Sequence, residues 1–223
     1  MRRIGYTFSA LAFALLLAPE SAQAQFGIRG GVSLTDLLGD DVGETEQRRG
    51  LNLGAFVDLF RTGPVQVAAE VYYRQKGADL ATLQGDLAQG QTPPDNIEFG
   101  LDYVEIPLLL RWNVVQGRRA RLYVAGGPAF AWRIDCGVTV STGAGTTTPS
   151  CDDLLRDNLQ ETLEDYERGL VLSGGVDLLV RRGLGAINLD VRYTRGLSRV
   201  TGDLDWKNEA LSAMLGWTFA PRW

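Results

Sequence analysis

The chain has no histidine and only two cysteines in 223 residues. Without histidine the commonest general base is missing, and so is the commonest ligand of a transition-metal site. A basic surface is missing as well: the formal net charge is −5, whereas nucleic-acid binding requires a positive face. Long apolar runs are also lacking. No segment approaches the ~18 consecutive apolar residues of a membrane helix. Histidine-dependent hydrolysis, nucleic-acid binding and helical membrane spans are therefore set aside, and no cofactor motif is present. The Gly-Gly pairs fall inside apparent strands rather than in a phosphate-binding loop.

What is present begins with a leader. Arg2 and Arg3 precede an apolar run from Phe8 to Ala18, and Ala22-Gln23-Ala24 follows. A basic head, a short apolar stretch and an Ala-x-Ala site make a secretory signal peptide. Cleavage is expected between Ala24 and Gln25, so residues 1–24 are the leader and 25–223 a single domain. Export places Cys136 and Cys151 in an oxidising compartment, where two cysteines in one polar loop are expected to form a disulfide.

Past the leader, hydrophobicity alternates with a period of two. Eight strands are expected, over Phe26–Leu34, Gly50–Phe60, Val65–Lys76, Gly100–Trp112, Ala120–Trp132, Gly169–Val180, Gly185–Gly196 and Lys207–Phe219. At about 9–13 residues each they are long enough to cross a bilayer at a tilt. Ile187, Leu189, Val191 and Tyr193 share one face of the seventh strand, and Asn188, Asp190, Arg192 and Thr194 share the other. A soluble barrel would turn the apolar faces inward; a membrane barrel turns them outward.

The connections choose between the two. Arg61–Pro64, Val114–Arg119 and Arg181–Leu184 are short, whereas 35–49, 77–99, 133–168 and 197–206 are long, in strict alternation. Short periplasmic turns and long outer loops are the pattern of outer-membrane barrels. On that topology Trp112, Trp217 and Phe219 face outward at the periplasmic ends. Tyr73, Phe130 and Tyr193 do so near the opposite rim, giving the two expected aromatic girdles. The fold expected is all-β: an eight-stranded antiparallel up-and-down transmembrane β-barrel in the bacterial outer membrane.

Several segments resemble the PorT-like family of outer-membrane β-barrel proteins, often labelled porin-family proteins. They are Gly27-Ile28-Arg29-Gly30-Gly31-Val32-Ser33-Leu34, Glu70-Val71-Tyr72-Tyr73-Arg74-Gln75-Lys76-Gly77, Leu101 to Leu109 around Asp102-Tyr103-Val104-Glu105-Ile106-Pro107, Ala125-Gly126-Gly127-Pro128 and Leu189 to Thr194. The resemblance implies an eight-stranded outer-membrane barrel and carries no defined activity. Barrels of this type commonly end on an aromatic that the assembly machinery recognises; here Phe219 is followed by Ala220-Pro221-Arg222-Trp223.

The membrane phase directs Arg29, Asp58, Glu70, Arg74, Glu105, Arg111, Asp177, Asp190 and Arg192 into the lumen. An Arg turned to lipid at the midplane would cost ~2–4 kcal/mol; inside, the charges can pair. Two readings follow: a salt-bridged plug, or a narrow ion path lined by the same groups. Glu70 and Glu105 as a general acid/base pair is a remoter third, and Ser212 has no nameable catalytic partner. The long loops carry 19 acids against 6 bases, which fits solvated loops, or a surface for divalent cations or a basic partner. Leu154, Leu155, Leu159 and Leu163 recur at near-helical spacing between Asp152 and Tyr166, as in a short amphipathic helix on the rim or at a docking face. The expectation is a monomeric, non-enzymatic scaffold whose partners are membrane lipid, the barrel-assembly machinery and an envelope or external molecule at the loops. The alternative is a small, low-conductance pore.

Overall fold

The computed structural model describes residues 25–38, 45–80, 96–142, 145–147, 164–181, 184–199 and 207–219. The leader, Cys151 and the Leu154–Leu163 segment lie outside them. The strands are β1 (Gln25–Leu38), β2 (Thr45–Thr62), β3 (Val65–Leu80), β4 (Asn96–Gln116), β5 (Ala120–Thr142), β6 (Gly145–Thr147), β7 (Tyr166–Arg181), β8 (Gly185–Gly196) and β9 (Lys207–Phe219). Eight of them pair antiparallel with their chain neighbours, and β1–β9 closes the ring. The ninth, β6, is a three-residue strand that pairs only with the end of β5.

The eight barrel strands match the alternation read from the sequence, but several run further. β4 has 21 residues and β5 has 23, against ~9–11 for crossing the hydrocarbon. All of the extra length in β3 and β5, most of it in β2 and half of it in β4 lies on the long-loop side. There β2 to β5 rise as a wall above the rest of the rim, so much of 77–99 and 133–168 is strand rather than loop. β7 likewise starts at Tyr166, where the amphipathic helix was expected to end.

The reason lies in a reversal of polarity along single strands. On β4, Val104, Ile106, Leu108, Leu110 and Trp112 point outward, while Glu105, Leu109, Arg111 and Asn113 are buried within. Above Val104 the same outer face continues with Asp102, Gly100 and Glu98, and the inner face becomes Tyr103, Leu101 and Phe99, all buried. β3 and β5 reverse at the same level. Leu37, Ala78, Leu101, Phe99 and Val138 form an apolar interior at the top, as water-facing sheet requires. The crossover is the hydrocarbon boundary written into the pleat.

Aromatic side chains mark both boundaries. Phe26 stacks on Phe219 across the closing seam, with centroids 5.0 Å apart, at the short-turn end beside Phe60 and Trp112. At the other end Phe130, Trp132 and Tyr166 cluster. Gly63, at φ 59°, makes the two-residue turn between β2 and β3, a conformation that disfavours any Cβ. Gly77, at φ 124°, sits opposite the β2 register shift, where a Cβ would strike the Phe99 carbonyl oxygen.

Candidate functional site: the charged lumen

All nine expected lumen residues are buried inside the barrel, none more than 8% exposed. Three more ionisable residues join them: Lys76, Arg121 and Glu167. Each lies at or just past an expected strand end or in a presumed loop, which is why the alternation alone did not select it. Twelve buried charges result, and they are stacked in three tiers.

Nearest the short turns, Arg111 pairs with Asp177, and Arg121 approaches the same carboxylate at 3.6 Å. Asn188 donates to Asp177 at 2.5 Å. Gln66 donates to Asp58 at 3.1 Å and accepts from Asn113 at 2.8 Å. In the middle tier, Arg29 and Arg192 both bind Glu70, at 3.3 and 2.6 Å. Both also reach Asp190, at 3.7 and 3.2 Å. In the upper tier, Glu105 lies 3.1 Å from both Arg74 and Lys76, and Lys76 extends to Glu167 at 3.2 Å. Asn208 donates to Glu167 at 2.7 Å.

Each tier holds two bases and two acids, so each is neutral in itself. Burial explains the balance: a net charge taken out of water costs several kcal/mol unless a partner and hydrogen bonds compensate it. Tyrosines tie the tiers together. Tyr123 lies against the Arg111 guanidinium, 3.6 Å from ring centroid to Cζ, and donates to Asp190 at 2.6 Å. Tyr72 accepts from Arg29 at 3.4 Å and lies beneath both Arg74 and Arg192. Arg29 also covers the Phe56 ring at 4.3 Å, a cation–π contact that gains strength when desolvated.

Little room is left. The cavity between the lower and middle tiers, bounded by Arg29, Phe56, Glu70, Arg111, Tyr123 and Asp190, has a volume of about 10 Å³, the space of roughly one water. Glu70 and Glu105 sit in different tiers, each engaged by two cations, so neither is set up as half of an acid/base pair. Ser212 faces Ser33 across β1–β9, and its hydroxyl makes no hydrogen bond among the described residues. Among the described residues no cluster of three metal-ligating side chains occurs.

Outside the lumen, the projecting wall carries its own charge. Asp102 stands opposite Asp135 in the β4–β5 register, an unfavourable like-charge pair. Tyr73 donates to Asp102 at 2.6 Å, and Arg48 binds Glu98 at 2.5 Å. Arg48, Glu98, Asp102 and Asp135 border a polar recess of about 170 Å³ that includes Cys136 and Thr139.

The model of the outer membrane protein beta-barrel domain matches residues 18–202. Among solved structures, OprG of Pseudomonas aeruginosa aligns at a TM-score of 0.50 and 14% identity, covering 88% of this chain and 95% of that one. The attachment invasion locus protein Ail of Yersinia pestis aligns at 0.44 and 13%, covering 88% and 99%. Neisserial surface protein A aligns at 0.44 and 11%, covering 86% and 97%. No curated protein matches. With a closed eight-stranded barrel, an apolar outer band and a family match over most of its length, the chain belongs to the outer membrane protein beta-barrel domain family and resides in the bacterial outer membrane.

Proposed function

We propose that the protein is a monomeric, non-enzymatic surface scaffold: a sealed barrel that holds an acidic, projecting wall outside the cell. The carrying observation is the lumen itself. Three neutral, cross-linked charge tiers leave space for about one water at their centre, while β4 and β5 continue well past the hydrocarbon boundary. Eight-stranded barrels are only just wide enough for side chains to fill, and here the charged ones do so. A fixed plug and an extended exterior put the working surface on the wall and loops. Their acidic excess, 18 acids to 6 bases in the long connections once the buried Glu167 is set aside, favours a basic or cation-bridged envelope or external partner. A place within the narrower PorT-like group is consistent with the Asp102–Pro107 segment.

The test is planar-bilayer conductance of the mature protein, refolded from Gln25 and verified by its heat-dependent gel mobility. Silence is expected. Reproducible current steps that change in Glu105→Gln would overturn the sealed-barrel reading and favour a small pore. In parallel, proteoliposomes are expected to retain a lysine-rich peptide, and Glu98→Gln/Asp102→Asn/Asp135→Asn to retain less.

A further inference from the structure

Charges outside the lumen are sorted by end. The turns 61–64, 114–119 and 181–184 contain five arginines, with no acid and no lysine. Arg61, Arg118 and Arg119 are exposed. Their turns are tied to one another or to the neighbouring strands. Arg61 donates to the Gln116 side chain at 3.2 Å, Asn113 N–H to the Pro64 carbonyl at 2.8 Å, and Leu179 N–H to the Arg119 carbonyl at 2.8 Å. The three arginines therefore lie along one fixed arc of the rim, from β2 to β5. Among the described residues, no carboxylate pairs with Arg118 or Arg119.

Depth identifies the partner. Arg61 directly follows Phe60, an outward ring 62% exposed at the lower girdle. Arg118 and Arg119 follow the exposed Val114 and Val115, with only Gln116 and Gly117 between. Turns this short cannot reach far into the periplasm, so the guanidiniums emerge where the aromatic girdle ends, at headgroup level. Arg stems lie along apolar surface while their heads seek polar groups, and the guanidinium fork matches phosphate bidentately.

We propose that Arg61, Arg118 and Arg119 form a binding arc for the phosphates of anionic phospholipids in the periplasmic leaflet. The barrel then carries an inner-leaflet lipid preference on one side only, opposite its acidic exterior.

The test uses the refolded protein in phosphatidylcholine vesicles with spin-labelled phosphatidylglycerol or spin-labelled phosphatidylcholine as probe. The motionally restricted fraction reports association. Wild type is expected to favour phosphatidylglycerol, by up to about fivefold for each arginine held near a headgroup, and less at high salt. Arg61→Gln/Arg118→Gln/Arg119→Gln is expected to lose the preference. Arg118→Gln/Arg119→Gln, which spares the Arg61–Gln116 bond, is expected to lose most of it. Equal association of both probes with wild type would overturn the proposal, as would a preference that survives both variants. Abolition of the preference by excess soluble glycerophosphoglycerol would assign the arc to a free phosphodiester and overturn the lipid reading.

Discussion

Replacing Glu70 by Gln perturbs the middle tier at its centre. Glu70 is the shared partner of Arg192 and Arg29, at 2.6 and 3.3 Å, with all three side chains at most 3% exposed. The amide keeps the shape and removes the charge, so two guanidiniums are left to Asp190 alone, at 3.2 and 3.7 Å. The tier passes from neutral to a net charge of one. Removing one member of a buried pair costs about 3–5 kcal/mol, because the other charge stays buried without compensation. Arg192→Gln unbalances the same tier in the opposite sense. The double variant Glu70→Gln/Arg192→Gln leaves Arg29 with Asp190 and restores neutrality. Its destabilisation is therefore expected to fall short of the sum of the singles by on the order of 2–3 kcal/mol. Urea unfolding of the refolded barrel in phosphatidylcholine vesicles, followed by tryptophan fluorescence and gel mobility, measures all three. Single losses below ~1 kcal/mol that add within ~0.5 kcal/mol would refute tier-by-tier neutralisation.

Two further outcomes follow from the polarity crossover and the outer hairpin. Leu108→Arg, outward within the apolar band, is expected to cost ~2–4 kcal/mol in the same assay. Asp102→Asn, above the boundary and opposite Asp135, is expected to cost little or to stabilise slightly through relief of like charge; equal losses would misplace the boundary. In the β5–β6 hairpin, Val140 pairs with Thr147, and the same register carried four residues further would set Cys151 opposite Cys136. A disulfide there is expected to speed migration on a non-reducing gel and to be lost in Cys151→Ser, and in the chain-entropy model it stabilises the loop by ~3 kcal/mol. Unchanged mobility after reduction would exclude it.

The membrane-spanning part of this fold was legible because one rule governs it: the outer face must be apolar, so charge every second residue points inward. That rule selects Arg29, Glu70, Asp190 and Arg192 without any knowledge of contacts. It cannot supply the pairing, since Glu70 meets Arg192 across 122 positions of chain. It also fails above the boundary. There Phe99 and Leu101 turn inward and Asp102 outward, so a reading that expects apolar-outward alternation stops at Gly100 and sees a loop. Glu167 was missed for that reason, since it fell in an expected loop. Lys76 has the parity of Arg74 but is the last residue of the expected third strand, where its cross-barrel partners Glu105 and Glu167 are not visible from the sequence. The lower tier shows the opposite limit: Arg121 lies one residue into β5, where an arginine reads equally well as turn or as lumen.

The same two features bear on the sealed-barrel reading. A pore requires a continuous hydrated path, and a lumen built for one would place its charges so that they point into that path. Here every buried base is held by an acid within its own tier, and Tyr72 and Tyr123 fill the levels between tiers. Neutrality by tier means that an ion entering any tier would upset a charge balance already made. The upper tier, through Lys76 and Glu105, joins β3 to β4 where the wall of longer strands begins. On the sealed-barrel reading proposed above, cross-linking inside the membrane would fix the orientation of the surface outside it.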